Sequence, residues 1–177
     1  MSVVNIPITG YKPFYIQYGT NTTATDTKSQ WGMVAQVHPY TFLPDPKDPY
    51  SNDWKDENGD DEYTATMHYK AFEIEVQFYV KVVATGQSAT STTAAAEFYA
   101  NMRSFFNAVK AGEFKIFMAY TQQGFQKVRY AGFEMDEDGY KARDKWVRAS
   151  FKVKFKVNDP VTEMTMSNGA IVERTSS

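Results

Sequence analysis

Two long segments with strict two-residue alternation restrict the fold of this chain more than any other feature. In YKAFEIEVQFYVKVV, residues 69–83, apolar side chains occupy every second position from Phe72 to Val82. In WVRASFKVKFKV, residues 146–157, apolar side chains alternate in the same way with cationic and small polar ones. Because successive side chains of a strand point to opposite faces, both segments predict long strands with one buried face.

The segments around these strands predict one helix and further antiparallel strands. Apolar residues on one helical face indicate a helix over 94–111, with Thr93 as its N-cap. After it, EFKIFMAY and FQKVRYAGFEM alternate across a turn containing Gly124, and Asp138-Gly139 predicts a second tight turn. Strands joined by short turns favour antiparallel pairing. The predicted fold class is therefore mainly β (α+β), an antiparallel sandwich- or barrel-like domain with one flanking α-helix and extended arms.

Shifts in composition predict three parts of the chain. Residues 1–30 form an N-terminal arm that ends in the small polar stretch GTNTTATDTKSQ. Residues 31–160 form a single β-rich domain, interrupted at 44–63 by a proline-containing acidic loop without regular structure. Residues 161–177 form a polar C-terminal tail. The arms at both ends are expected to gain order only on contact with neighbouring molecules.

The composition excludes several classes of site. With no cysteine among its 177 residues, the chain forms no disulfide, thiolate metal site or cysteine nucleophile, which fits assembly in a reducing cytoplasm. A net charge of −2 gives no overall electrostatic case for nucleic-acid binding. The N-terminus has no signal-peptide pattern, and no segment approaches the ~20 apolar residues of a membrane helix. We therefore expect no membrane anchor.

Histidines and paired carboxylates are the candidate catalytic groups. His38 and His68 are interpreted as ordinary polar contacts, with a general base or a metal ligand as the alternative. Glu73 and Glu75 lie on the polar face of the first long strand and are interpreted as exposed side chains rather than a catalytic pair. No catalytic residue, cofactor or metal is predicted, although an enzyme using His68 or the glutamate pair remains the alternative.

The stretch EMDEDGYKARDK has part of the pattern of a calcium-binding loop. Acidic residues occupy alternate positions from Glu134 to Asp138, directly before Gly139. However, Lys145 stands where such a loop requires a bidentate glutamate, and no pair of helices flanks the stretch. A hairpin turn is the better interpretation.

The cationic face of the last long strand has three candidate roles. Its charged residues are Arg148, Lys152, Lys154 and Lys156. The row protects an edge against unwanted strand pairing, faces an acidic surface on another copy, or lines a nucleic-acid channel. In the second case the loop at 44–63, together with Glu73 and Glu75, would supply the acidic surface. The acidic balance of the chain argues against the third.

The order of elements between residues 56 and 160 is specific enough to compare with known proteins. DENGDDEY precedes the long strand HYKAFEIEVQFYV, and the helix AAAEFYANMRSFFNAVKAG leads to EFKIFMAY, QKVRYAGFEMDEDGY and the closing WVRASFKVKFKVNDP. This order, with these lengths, resembles the N-terminal domain of the phage distal tail protein family. The resemblance implies a tail-tube-type β-sandwich domain with a flanking helix.

The same resemblance implies a structural, non-enzymatic subunit of a phage virion, assembled in the host cytoplasm. Members of that family form hexameric rings that join the tail tube to the tip or baseplate, and DNA passes through the central channel. Sister subunits in a hexameric ring and other tail or baseplate proteins are the expected partners, with transient passage of DNA without specific binding. A tail tube or tail terminator subunit of the same fold lineage is the nearest alternative.

The resemblance and the charge pattern together select candidate subunit contacts in the arm, the acidic loop and the last strand. The candidate interface residues are Tyr11, Phe14, Tyr15, Asp53, Trp54, Asp60, Asp61, Lys152, Lys154 and Lys156. The alternative from another class is a carbohydrate-binding β-sandwich in which Tyr50 or Trp54 stacks on sugars.

Overall fold

Antiparallel pairing between two long strands lies at the centre of the structure. The computed structural model describes residues 4–7, 10–48, 51–53, 60–62 and 67–175. Within these residues the strands are β1 (Val4–Pro7), β2 (Phe14–Tyr18), β3 (Thr25–Asp26), β4 (Met33–Tyr40), β5 (Ser51–Asp53), β6 (Asp60–Glu62), β7 (Phe72–Val83), β8 (Phe114–Met118), β9 (Gln123–Arg143), β10 (Trp146–Asp159), β11 (Met164–Ser167) and β12 (Ala170–Glu173). The helices of the same residues are α1 (Thr27–Trp31) and α2 (Ser91–Lys110). Eight of the described strands form one sheet in the order β1-β4-β7-β10-β9-β8-β2-β3, while β5 pairs with β6 and β11 with β12.

Strands β7 and β10 pair over their shared length, as their alternation predicts. The register runs without a shift from Val83 opposite Trp146 to Phe72 opposite Val157. The alternate residues on one face of both strands are buried, and those of β10 from Val147 to Val157 are fully inaccessible. Burying a large apolar side chain contributes roughly 1.5–3 kcal/mol, so this face is a major source of the stability of the domain.

The sheet curls until distant strands meet, which confirms the predicted mainly β fold. Phe14 of β2 lies four strands from β7 in the sheet order, yet its ring centroid is 5.5 Å from that of Phe78. Neighbouring strands are about 4.8 Å apart, so a flat sheet would separate the two residues by roughly 19 Å. Phe14 also lies 6.3 Å from Phe155 of β10. The core is therefore enclosed by one strongly curved sheet together with the helix at residues 91–110.

Helix α2 packs against β7, β9 and β10. It begins at Ser91 because the Thr90 hydroxyl accepts a hydrogen bond from the Thr93 N–H (3.4 Å), which makes Thr90 the N-cap. The predicted start at residue 94, with Thr93 as the cap, is thus three residues late. The predicted apolar face is correct, since Phe105 and Val109 on it are buried against the sheet.

A second, five-residue helix, α1, was not predicted from the sequence. The side chain of Asp26 caps its first turn by accepting a hydrogen bond from the Lys28 N–H (3.2 Å). The helix ends at Gly32, whose φ of 69° lies in the left-handed region that glycine adopts without strain. Its last residue, Trp31, is buried and donates its indole N–H to the Ser104 hydroxyl of α2 (3.1 Å). The segment interpreted as a flexible linker therefore contains most of a helix that packs against β2, β4 and α2.

The turn between β9 and β10 is at residues 144–145, not at Asp138-Gly139 as the sequence predicted. Strand β9 continues past that dipeptide, and residues 136–139 bulge out opposite Ser150. Asp138 has a φ of 59°, which the bulge requires. Tight turns and bulges both select residues that tolerate positive φ, so the dipeptide alone does not distinguish them.

We predict that Gly139→Ala lowers the free energy of unfolding by about 1–3 kcal/mol. A Cβ atom there would lie 2.5 Å from the carbonyl oxygen of Ser150 and 2.6 Å from that of Asp136, so the backbone of the bulge would have to move. Gly132→Ala in the same strand is the matched control, because its Cβ would come no closer than 3.7 Å, to Lys154 Cδ. Urea unfolding of the three proteins measures the difference. Equal stability of wild type and Gly139→Ala would contradict the close approach.

Residues 14–18 belong to the folded core rather than to an extended arm. Strand β2 lies between β8 and β3, and its residues Phe14 and Ile16 are fully buried. The structure therefore differs from the predicted 1–30 arm over its second half. The two buried positions form too short an alternation, flanked by Pro13 and Gly19, to indicate a strand by themselves.

The C-terminal residues also differ from the predicted polar tail over 161–177. Strands β11 and β12 form a hairpin whose turn is Asn168-Gly169, with φ values of 49° and 79°. Met164 and Ile171 of this hairpin are each only 1% exposed, in a small second core. The Asn-Gly dipeptide is a strong hairpin signal, so this element was detectable in the sequence.

We predict that Phe14→Ala lowers the free energy of unfolding by about 3–5 kcal/mol, because it empties a fully buried aromatic site. Tyr11→Ala, three residues earlier and 36% exposed, is the comparison and should cost less than about 1 kcal/mol. Thermal or urea unfolding of the full chain measures both. Similar small effects for the two variants would show that β2 is not part of the core.

Candidate assembly surface

Two of the candidate lysines on β10 are paired with carboxylates of their own sheet. Lys152 Nζ lies 3.3 Å from one carboxylate oxygen of Glu75 on β7, and Lys154 Nζ lies 3.8 Å from the other. Lys154 also lies 3.6 Å from Glu134 on β9. A hydrogen bond to Glu75, together with the negative charge of that residue, raises the pKa of Lys152. The structure thus gives Glu75 an internal role, whereas one of the three interpretations of the cationic face placed it on a surface that faces another copy.

The third candidate lysine, Lys156, is exposed at the end of the same face. Its cross-strand neighbours are Glu73 on β7 and Arg129 on β9, so a second cation lies beside it. All three side chains are exposed. Lys156 therefore stays a candidate contact.

The three candidate aromatic residues near the N-terminus lie in different environments. Phe14 lies in the core, so its side chain does not reach a neighbouring molecule, and Tyr15 is half-buried. Tyr11 is the exposed one, and its ring lies 4.1 Å from Lys28 Nζ. Partial burial, followed by a hydrogen bond to Asp26, raises the pKa of Tyr11. Tyr11 is thus held against the surface of the domain, where it remains a candidate contact.

The acidic loop contains two short strands, although its prolines had indicated no regular structure. In the β5–β6 pair, Asp53 lies opposite Asp60 and Asn52 lies opposite Asp61. Three candidate acidic residues therefore share one small two-stranded sheet. Trp54 lies outside the described residues, and its role stays a prediction.

Both ends of this loop are fixed just before β7. The Lys47 N–H donates to the carbonyl oxygen of His68 (2.7 Å), and the Lys70 N–H donates to that of Asp45 (2.8 Å). Lys70 Nζ also lies 3.6 Å from the carboxylate of Asp48. The loop is therefore attached at the end of the long sheet where β7 begins.

The residues weighed as catalytic or metal-binding groups are not brought together. His38 is fully buried, with ring centroids 5.8 Å from Phe14 and 6.2 Å from Tyr120, whereas His68 is exposed. Asp136 of the calcium-like stretch accepts hydrogen bonds from Ser150 and from the Gln77 side chain. Across the described ranges, no cluster of His, Asp and Glu side chains is arranged to hold a metal ion. None of the helices in that part of the chain is long and apolar enough to cross a membrane.

The buried histidine makes the stability of the domain depend on pH. Neither ring nitrogen of His38 has a hydrogen-bond partner among the described residues. Burial therefore penalises the charged ring and lowers the pKa of His38 from 6.5 to about 4. The unfolded chain binds the proton more tightly, so stability is full above about pH 6.5 and is lost as the pH falls towards 4.

We predict that protonation of His38 alone lowers the free energy of unfolding by on the order of 3 kcal/mol as the pH falls from 6.5 to 4. Other groups titrate in the same range, so the measurement is the difference between wild type and His38→Leu in urea unfolding at pH 7, 5.5 and 4. The variant, which has no proton to bind at this site, should lose less stability on acidification. Parallel pH profiles for the two proteins would contradict the assignment.

An exposed apolar pair was missed in the sequence. Phe42 and Leu43 are 89% and 62% exposed, directly after β4. They border a groove of about 390 Å³, whose walls include Tyr69, Phe125 and Val161. Exposed apolar patches of this kind mark interaction surfaces more often than scattered residues do. The proline-flanked segment PYTFLP was the available signal.

One solved structure has a fold similar to that of this chain. The chain superposes on the Dit protein (gp 19.1) of phage SPP1, described as a paradigm of the hub adsorption apparatus in phages that infect Gram-positive bacteria, with a TM-score of 0.51 and 12% sequence identity. The match covers 86% of this chain and 52% of that protein, so the chain spans about half the length of SPP1 Dit. No protein family model and no curated protein matches the sequence. The fold is thus similar to that of a phage hub protein, and the order of elements in the sequence had indicated a fold of this kind.

Proposed function

We propose that this chain is a structural subunit of a phage tail. In this proposal it forms a ring at the distal tail or baseplate and joins the tail tube to the tip. The observation that carries the proposal is the similarity to SPP1 Dit, because it extends over 86% of the chain. Partners would be sister copies, with six in a ring, and other tail or baseplate proteins. The site of function would be the virion, after assembly in the host cytoplasm.

The surface of the domain supports an assembly role. Phe42 and Leu43 place large apolar side chains in solvent, and a free chain gains nothing from exposing them. The acidic β5–β6 pair is built on a long insertion attached at one end of the sheet. Long insertions of this kind are generally functional.

The chemistry of the described residues supports a non-enzymatic subunit. Glu75, one of the two glutamates considered as a catalytic pair, is occupied by Lys152 and Lys154. His38 is shielded from solvent. A structural role needs none of these groups to react. A tail tube or tail terminator ring is the nearest alternative, since those subunits would share the fold lineage.

The test is the mass of the full chain in solution, measured by sedimentation velocity over a wide concentration range, together with negative-stain images. We expect closed rings with a central opening, and antibodies against the chain should label the distal end of tails in particles that contain it. Labelling along the whole tail or at its head-proximal end would favour the tube or the terminator. A strictly monomeric chain at high concentration, with no tail labelling, would overturn the proposal.

A further inference from the structure

Three cations lie side by side across the outer face of the long sheet. Arg148 of β10 is the direct cross-strand neighbour of Lys81 on β7 and of Lys141 on β9. All three side chains are exposed. Like charges placed directly opposite each other destabilise a sheet. The same face shows the opposite arrangement farther along, where Lys152 and Lys154 of β10 pair with Glu75.

Few carboxylates lie close to this cationic row within the described part of the chain. Lys81 and Arg148 contact the ring of Trp146, at 6.0 Å and 5.7 Å from its centroid, and have no carboxylate partner there. Lys141 lies 3.9 Å from Asp138, whose side chain is 85% exposed and pairs only weakly. A half-buried tryptophan with cations around it is a surface that fits an anionic partner.

The chain itself carries a matching anionic surface. Residues 44–63 contain eight acidic residues and two lysines, a net charge of −6, so the other residues together carry +4 against the total of −2. Within this segment, Asp53, Asp60, Asp61 and Glu62 belong to the paired strands β5 and β6. The acidic segment is therefore strongly negative, while the rest of the chain has a net positive charge.

These two surfaces are too far apart to meet within one molecule. The acidic segment is attached beside the start of β7, through the backbone bond between Lys47 and His68, whereas Lys81 is near the end of that strand. At about 3.3 Å per residue, the distance from Phe72 to Lys81 along β7 is about 30 Å. The chain from Lys47 to Asp53 spans at most about 20 Å even when fully extended. The acidic strands therefore reach the row only on another molecule.

We propose that the cationic row of Lys81, Arg148 and Lys141 docks against the β5–β6 strands of a second copy, head to tail. Because each copy offers both surfaces at opposite ends of the long sheet, the contact is heterologous and closes into a ring when the rotation allows. This inference rests on the proposed function and assigns one of its subunit contacts. Duplex DNA is the competing anion, but the net charge of −2 and the complementary surface within the chain favour a second copy.

The test is a charge swap in the full chain. Lys81→Glu/Arg148→Glu and Asp60→Lys/Asp61→Lys should each raise the concentration for half-maximal assembly about tenfold or more at low salt. An equimolar mixture of the two variants should regain assembly, because both kinds of junction between unlike variants, alternating around a ring, then pair opposite charges. Arg103→Glu/Lys127→Glu, which reverses two exposed cations elsewhere, is the matched control and should assemble like wild type.

Thermal unfolding distinguishes the loss of this contact from a folding defect in the variants. In the first variant, positions 81 and 148 keep like charges, while the glutamate at position 148 faces Lys141 with opposite charge. The number of repulsive cross-strand pairs therefore falls from two to one, so this variant should melt no lower than wild type even though it assembles less well. Recovery in the mixture supports the contact, since two misfolded chains would not restore each other.

Three outcomes overturn the inference, and they separate it from the proposed function. If the row variant assembles like wild type, the contact is wrong while the ring proposal stands. If its assembly is unchanged but its binding to a short duplex DNA is lost, the row is a nucleic-acid surface. If wild type never assembles, both the contact and the ring proposal fail.

Discussion

The antiparallel pairing of β7 with β10 is the interaction on which the rest of the structure depends. Because the side-chain period of a strand is two, a slip of one residue would turn the buried residues of β10 outward and drive Lys152 and Lys154 into the core. The cost of such a slip holds the two strands in a single register. That register also decides which charges meet on the outer face. It places Glu75 beside Lys154 but sets Arg148 beside Lys81.

The curvature of the sheet follows from how its flanking strands complete the core. Phe14 of β2 packs against Phe78 of β7 on the opposite side of the core, and Trp31 of α1 donates a hydrogen bond to Ser104 of α2. The bulge at 136–139 lets β9 continue along β10 without a matched partner at every position. The long hairpin therefore stays paired up to its turn, and it carries Trp146 and its cations to the far end of the molecule.

Charge on this molecule is arranged in two ways, with different consequences. On β7, β10 and β9, some lysines lie opposite glutamates, and these partly exposed ion pairs neutralise one another. Exposed ion pairs contribute little to stability, so their main effect is to favour this strand register. Where cations adjoin cations, the sheet gains nothing from the arrangement. The subunit contact that we propose would use the second pattern, whereas the similarity to SPP1 Dit concerns the fold and assigns no residues to contacts.

Alternation and spacing in the sequence determined the long strands, the amphipathic face of α2, the antiparallel fold class and the resemblance to a tail protein. These features depend on local periodicity, which a single segment displays completely. Only the tertiary structure decided that Phe14 lies in the core, that Asp138-Gly139 forms a bulge, and that Lys152 and Lys154 are already paired. Each of these depends on which distant strand lies alongside, and strand partners are chosen by the closure of the whole sheet rather than by any one segment.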